Sequence, residues 1–384
     1  MKRALVLALV ILTIAISSLA TTITVWFSWE GQKEFQSIVN EFNRIHPNIH
    51  VNLVYIPNMI QKLKITISSK GYFPDLALVR NDDIGLLFNS KVIYPIKNVK
   101  TMPAFYKSFL VNGIEYAYPY YADVQVVYVN KTIFKKASIA IPPNNWTLSL
   151  FENIAERLKK HGKIGVVFQD VSPYFFHSFN AAFNNGKLPE KNGIPIVDTA
   201  GTLKAARLYY HLFNTKKIAV SYRKMALIDA FKTGKSGMML MGSFLIPDFL
   251  KSGLNFTILP YPSLDNGTPI PPVFDSKGFV LFKKNSAIEK FIDYVTSAKI
   301  EEKFCGQTYK IPANEKAMSV LEKENNLFKV MSLSAKKALI LPTSKIFKEA
   351  YGRAISTALN LYLNGQLSLK EAFSKAQEYI NRHK

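Results

Sequence analysis

The chain has 384 residues, 48% of them apolar and 20% charged, and a formal net charge of +22. That length and apolar content suit a large globular protein of two lobes, and the lone cysteine, Cys305, excludes an intrachain disulfide. The lysines and arginines are scattered, with no basic tail and no RRM or zinc-finger pattern, so no nucleic-acid partner is expected. The basic balance reads as solvated surface, with attraction to an anionic ligand or envelope surface as the alternative.

Lys2 and Arg3 precede an apolar run, Ala4 to Ile16, and Ser18-Leu19-Ala20 offers small residues where a signal peptidase cuts. Residues 1–20 therefore read as a signal peptide cleaved near Ala20, too short in its apolar part to span a bilayer comfortably. The expected location is periplasmic or extracellular, and no cysteine follows the apolar run to carry a lipid anchor.

Ile23, Val25 and Phe27 alternate as in a strand, and a Ser28-Trp29-Glu30-Gly31 turn follows. Phe35, Ile38, Val39 and Phe42 share one face of a helix that Pro47 stops. Ile49, Val51, Leu53 and Tyr55 alternate again, a helix is predicted over 60–68, and Pro74-Asp75 leads into the apolar run Leu76–Val79. This β-α-β-α-β order specifies a parallel sheet with helices on its faces. Small polar ligands are held at the carboxyl ends of such strands.

Residues 116–130 read as a long strand-rich segment interrupted at Pro119, residues 146–160 as a helix, and residues 166–168 as a short strand. Three more strands are predicted at 238–241, 256–259 and 279–282, with a proline- and glycine-rich loop over 260–272. Ile288, Phe291, Ile292 and Val295 mark a helix; so do Ile355, Ala358, Leu359 and Tyr362, before a capping box of Ser368 and Glu371. No Ser/Gly linker separates the lobes, so the chain is expected to cross between them on ordered strands, within 116–130 and 256–282.

Catalytic and cofactor motifs are absent. His46 and His50 are separated by Pro47, and Gly234-Lys235-Ser236 lacks the first glycine of a phosphate loop, because that position is Asp229. There is no Gly-x-Ser-x-Gly. No cofactor, no metal and no catalytic residue are expected. The enzymatic alternative is a secreted carbohydrate-active enzyme using carboxylates such as Glu30, Asp123 and Asp170.

Several segments carry a resemblance. Residues 22–29, the run Phe35…Ile38-Val39…Glu41-Phe42-Asn43…His46-Pro47…Ile49…Val51, and Pro74-Asp75 with Asn81-Asp82 follow one another in order. Tyr118-Pro119-Tyr120 to Asn130-Lys131 and Gly234-Lys235…Gly242-Ser243-Phe244 complete the set. Together they resemble the extracellular solute-binding proteins of ABC importers, in the branch of maltose- and other sugar-binding proteins. The resemblance implies a periplasmic binding protein-like II fold: two discontinuous α/β lobes joined by a hinge, 21–119 plus 275–325 and 120–274 plus 326–384. It implies a monomer that closes on a sugar or oligosaccharide and delivers it to the ABC permease membrane subunits. The alternative solute is an acidic or phosphorylated small molecule.

A sugar needs flat apolar surfaces for its C–H faces and polar groups for its hydroxyls. Trp29 and Glu30, at a strand-to-helix turn, and Asn81 and Asp82, at the end of the third strand, are the candidates of the first lobe; their alternatives are a core tryptophan and helix or loop caps. Asp123 falls where the family places a ligand carboxylate. Tyr174 resembles a stacking tyrosine, beside Ser172 where maltose binders carry a carboxylate, which weakens maltose itself as the ligand. Phe244 stands where the family commonly has tryptophan, and Tyr351 falls near another stacking position. Trp146 reads as core.

Overall fold

The computed structural model describes residues 20–97 and 101–383. The predicted leader lies outside them except for Ala20. Five elements open the fold: β1 (Thr21–Phe27), α1 (Gln32–Ile45), β2 (Ile49–Tyr55), α2 (Met59–Ser68) and β3 (Leu76–Arg80). The alternation in β1 buries Ile23, Val25 and Phe27 completely, and Trp26 packs on the opposite face. α1 buries Phe35, Ile38, Val39 and Phe42, the stripe its spacing predicts. β1 pairs in parallel with both β2 and β3.

The central element is β4, Tyr118–Asn130, thirteen residues of which all but the first are buried. Its first half pairs antiparallel with the later strand Phe274–Leu281, which in turn pairs with β3. Its second half pairs antiparallel with Ser236–Gly242 and Phe256–Leu259. The partners change between Val124 and Gln125. One strand thus belongs to two sheets, and the chain has two α/β halves with a common spine.

The interruption predicted at Pro119 does not occur. Tyr121 lies opposite Lys277 and Pro119 opposite Gly278, so Tyr120 is an extra residue in the ladder. A bulge of this kind frees the proline from a hydrogen bond it cannot donate.

The second half adds α3 (Leu148–Lys160), β5 (Ile164–Val167), α4 (Pro173–Ala182), β6 (Ala219–Val220), α5 (Lys224–Lys232), β7 (Ser236–Gly242) and β8 (Phe256–Leu259). β9 (Phe274–Leu281) then returns to the first sheet, and α6 (Ala298–Thr308) packs against α1. The strand order is β6-β5-β7-β4-β9-β3-β1-β2, with β8 and the short strand Ile311–Pro312 pairing with β4 off this path. The last helix, Leu369–Asn381, starts with the capping box of Ser368 and Glu371 that the sequence predicts. Cys305 lies buried on α6, and burial pushes its thiol well above the ordinary range. Among the described residues no helix is long and apolar enough to cross a membrane.

Residues 260–273, between β8 and β9, carry the chain back from one sheet to the other. Trp146 fixes their start. It is 2% exposed, its indole donates to the Pro260 carbonyl at 2.8 Å, and its own carbonyl accepts from the Ser263 amide at 3.0 Å. Replacing Trp146 with Ala should cost about 3–5 kcal/mol. Trp146→Phe should cost less, keeping the ring and losing one hydrogen bond of about 1 kcal/mol. Urea unfolding of the two variants beside the parent checks both the size and the order.

Candidate functional site

β1 ends where Ser28 donates its hydroxyl to the Ile56 carbonyl at 2.7 Å. Trp29 follows with φ of 68°, a conformation that bulky residues rarely hold. The turn is therefore a built feature, not a relaxed loop. Trp29 is half-buried and packs against both apolar clusters of the core. Glu30 projects beyond it, its side chain 54% exposed.

Glu30 lines a groove of about 640 Å³. One wall is the 30–34 turn with Gln307 and Thr308 at the end of α6; the other is α5 and residues 244–252. These walls belong to the two different sheets. Phe244 lies on the far wall with the Lys224 ammonium 5.5 Å from its ring centre. Glu30, Glu34, Asp229 and Asp248 face Lys224, Lys232 and Lys251, so the groove is close to charge balance on a strongly basic chain.

Behind the groove, Asp123 is 2% exposed at the point where β4 changes partners. Lys310 donates to both its oxygens at 3.0 and 3.1 Å, and Lys277 donates to Oδ2 at 3.0 Å. Both lysines are themselves nearly completely buried. Ser243, next to Phe244, donates to Oδ1 at 3.2 Å and accepts from the Val124 amide. Burial raises the Asp123 carboxyl, and the two ammonium groups outweigh it, so the group stays below its ordinary value and ionised. In this arrangement its acceptor positions are taken by the protein.

The ion pairs continue in both directions. Lys310 reaches Glu30 at 3.4 Å on the groove side. On the other side Lys277 meets Asp275 at 3.1 Å, Asp275 meets Arg80 at 3.4 Å, and Arg80 meets Asp82 at 2.7 Å. Lys348 completes the series with Asp82 at 3.4 Å and with Asp83. Asn81 is buried, and neither its amide nitrogen nor the Asp82 Oδ1 has a hydrogen-bond partner.

Tyr174 and Phe244 meet over Gly242. A methyl at position 242 would lie 2.3 Å from the Phe244 ring and 2.8 Å from the Tyr174 hydroxyl, so the close approach requires glycine. Gln125 anchors this corner. Its amide donates to the Tyr174 carbonyl at 2.7 Å, and its Oε1 accepts from Ser178 at 2.7 Å and from the Val273 amide at 2.9 Å.

Tyr351 is a core residue here, not part of the groove wall. It is fully buried, stacks on Phe347 at 4.5 Å and has its hydroxyl bonded by Asn180. His177 packs against the same two rings, 6% exposed, with no partner on either ring nitrogen. Glu30 and Phe244 thus line one groove, Tyr174 adjoins Phe244, Asp123 sits behind the groove, and Asn81 and Asp82 lie along the ion-pair series. Among the described residues no group of His, Cys, Asp or Glu is arranged to hold a metal ion. Sequence reasoning missed Gln125, Lys277, Lys310 and Lys348. A glutamine in the apolar run Val124–Val129 was the one visible signal.

Residues 28–302 match the family model of the bacterial extracellular solute-binding proteins. A binding protein of Brucella abortus is 26% identical over 227 residues, 55% of this chain and 54% of that protein. The chain thus spans about half the length of that relative. A maltooligosaccharide ABC transporter solute-binding lipoprotein of Streptococcus pneumoniae is 23% identical over 70% of this chain and 66% of its own length. In three dimensions the GacH receptor of Streptomyces glaucescens, solved unliganded and with acarbose, aligns with a TM-score of 0.80. That alignment covers 95% of this chain and 98% of that one at 22% identity, a likeness of fold.

Burial pushes the His177 imidazole down to about 3. Below its ordinary value near 6.5 the unfolded chain binds a proton that the folded chain does not, so stability falls as pH drops from 6.5 toward 3. The loss amounts to at most about 1.4 kcal/mol per pH unit. His177→Phe keeps the stacking and removes the titration. Thermal unfolding of parent and variant across this range should show a shallower acid limb for the variant; equal slopes would exclude His177 as a source.

Proposed function

The chain belongs to the family of bacterial extracellular solute-binding proteins, and from that premise we propose that it captures a sugar or oligosaccharide outside the cytoplasmic membrane and delivers it to the membrane subunits of an ABC importer. The observation that carries this reading is the groove between the two sheets, with an aromatic ring on one wall and a carboxylate on the other. A pyranose lays its C–H face on Phe244 and offers hydroxyls to Glu30. The names of relatives that bind maltooligosaccharide or acarbose support the same class. Near-balanced charge in the groove favours a neutral solute over an acidic or phosphorylated one.

In this reading the lobes are 21–119 with 275–325 and 120–274 with 326–384, the leader is cleaved near Ala20, and the mature chain works as a monomer without catalysis. Trp29, Glu30, Asn81 and Asp82 serve from the first lobe, and Tyr174 and Phe244 from the second. Asp123 organises the hinge, and Tyr351 supports the second lobe from within. Solute favours closure because only the closed form lets both lobes touch it.

Calorimetric titration with a maltodextrin series, a uronic acid and glycerol phosphate tests the proposal. Saturable binding of neutral oligosaccharides is expected, and Phe244→Ala should weaken it at least about tenfold. Binding confined to the anions, or new reducing ends after incubation with an oligosaccharide, would overturn it.

A further inference from the structure

Asp82 and Asp83 close the carboxyl end of β3, in the sheet that carries the Trp29–Glu30 turn. Lys348 lies 266 residues further on, in the short helical segment Phe347–Tyr351 that packs against His177 of α4. Its ammonium has three protons and meets three acceptors there. These are the Asp82 carbonyl at 3.3 Å, the Asp82 Oδ2 at 3.4 Å and the Asp83 Oδ1. The Asp83 side chain is 4% exposed, so its carboxylate depends on this cation.

The backbone just before Lys348 presses on the same place. A methyl at Gly85 would lie 2.1 Å from the Thr343 carbonyl oxygen. The seam between the β3 end and the C-terminal segment is therefore shut, by charge at Lys348 and by backbone contact at Gly85. Within it, Arg80 and Lys348 occupy the Asp82 Oδ2, and Oδ1 is left without a partner.

We propose that Lys348 is an interlobe strap: it ties the second lobe to Asp82 and Asp83 and populates the closed form before solute arrives. The inference rests on the carbohydrate-capture reading and adds the device that sets its affinity. Removing the strap shifts the two-state balance toward the open form, and apparent affinity falls with the population of the binding-competent state. Part of the strap is solvent-accessible, so salt screens it.

The test uses the whole mature chain without solute, in small-angle scattering, and then with maltotriose in calorimetry. Lys348→Met should increase the radius of gyration of the unliganded protein and weaken maltotriose binding about tenfold. Lys348→Arg should restore both. Raising salt to about 0.5 M should expand the parent and leave Lys348→Met unchanged. Gly85→Ala should expand the protein by a steric route with every charge retained. Lys345→Met, at an exposed lysine whose ion pair among the described residues is with its helix neighbour Glu349, should change nothing. An unliganded Lys348→Met protein as compact as the parent, or an equal expansion of Lys345→Met, overturns the strap. The scattering arm contains no sugar, so it judges the strap even if maltotriose fails to bind the parent and the capture reading falls.

Discussion

The fold turns on one buried carboxylate. Asp123 sits where β4 leaves one sheet for the other, and a charge there without partners would be too costly to keep. Lys277 and Lys310 come from one sheet and its helices, and Ser243 comes from the other. The requirement to neutralise Asp123 therefore draws three distant segments onto one point of the spine. An apolar residue would pack there with less risk, but it would not fix which strand ends meet.

Function follows from what is attached to that point. Ser243 precedes Phe244, and Lys310 reaches Glu30, so the ring on one wall of the groove and the acid on the other are both tied to the same carboxylate. Gln125 does the corresponding work two residues further along the strand, joining Tyr174, Ser178 and Val273 through a single amide. Both walls are thus fastened to the same short stretch of β4.

The sequence made the first sheet and its helices legible because their apolar spacing is strong. Phe35, Ile38, Val39 and Phe42 are buried as a set, and the Ser368–Glu371 box forms as written. Trp29, Glu30, Asn81 and Asp82 were chosen as candidates because strand ends carry ligands in such sheets. Lys277 and Lys310 were not visible: each sits among many solvated lysines, and their partner Asp123 is 154 and 187 residues away. Tyr351 was placed by its nearness to a stacking position of the family, and in the fold it holds a fully buried core position. Pro119 misled because a bulge at Tyr120 lets a strand carry a proline.

Cys305 has a consequence of another kind. It is the chain's single sulfhydryl, and it is sealed inside α6 with its ionisation suppressed. Maleimide chemistry needs a reachable thiolate, so a cysteine engineered beside the groove would take up a fluorophore alone. The native scaffold is thereby ready-made for an optical sensor, with no background thiol to delete and no cross-bridge to scramble.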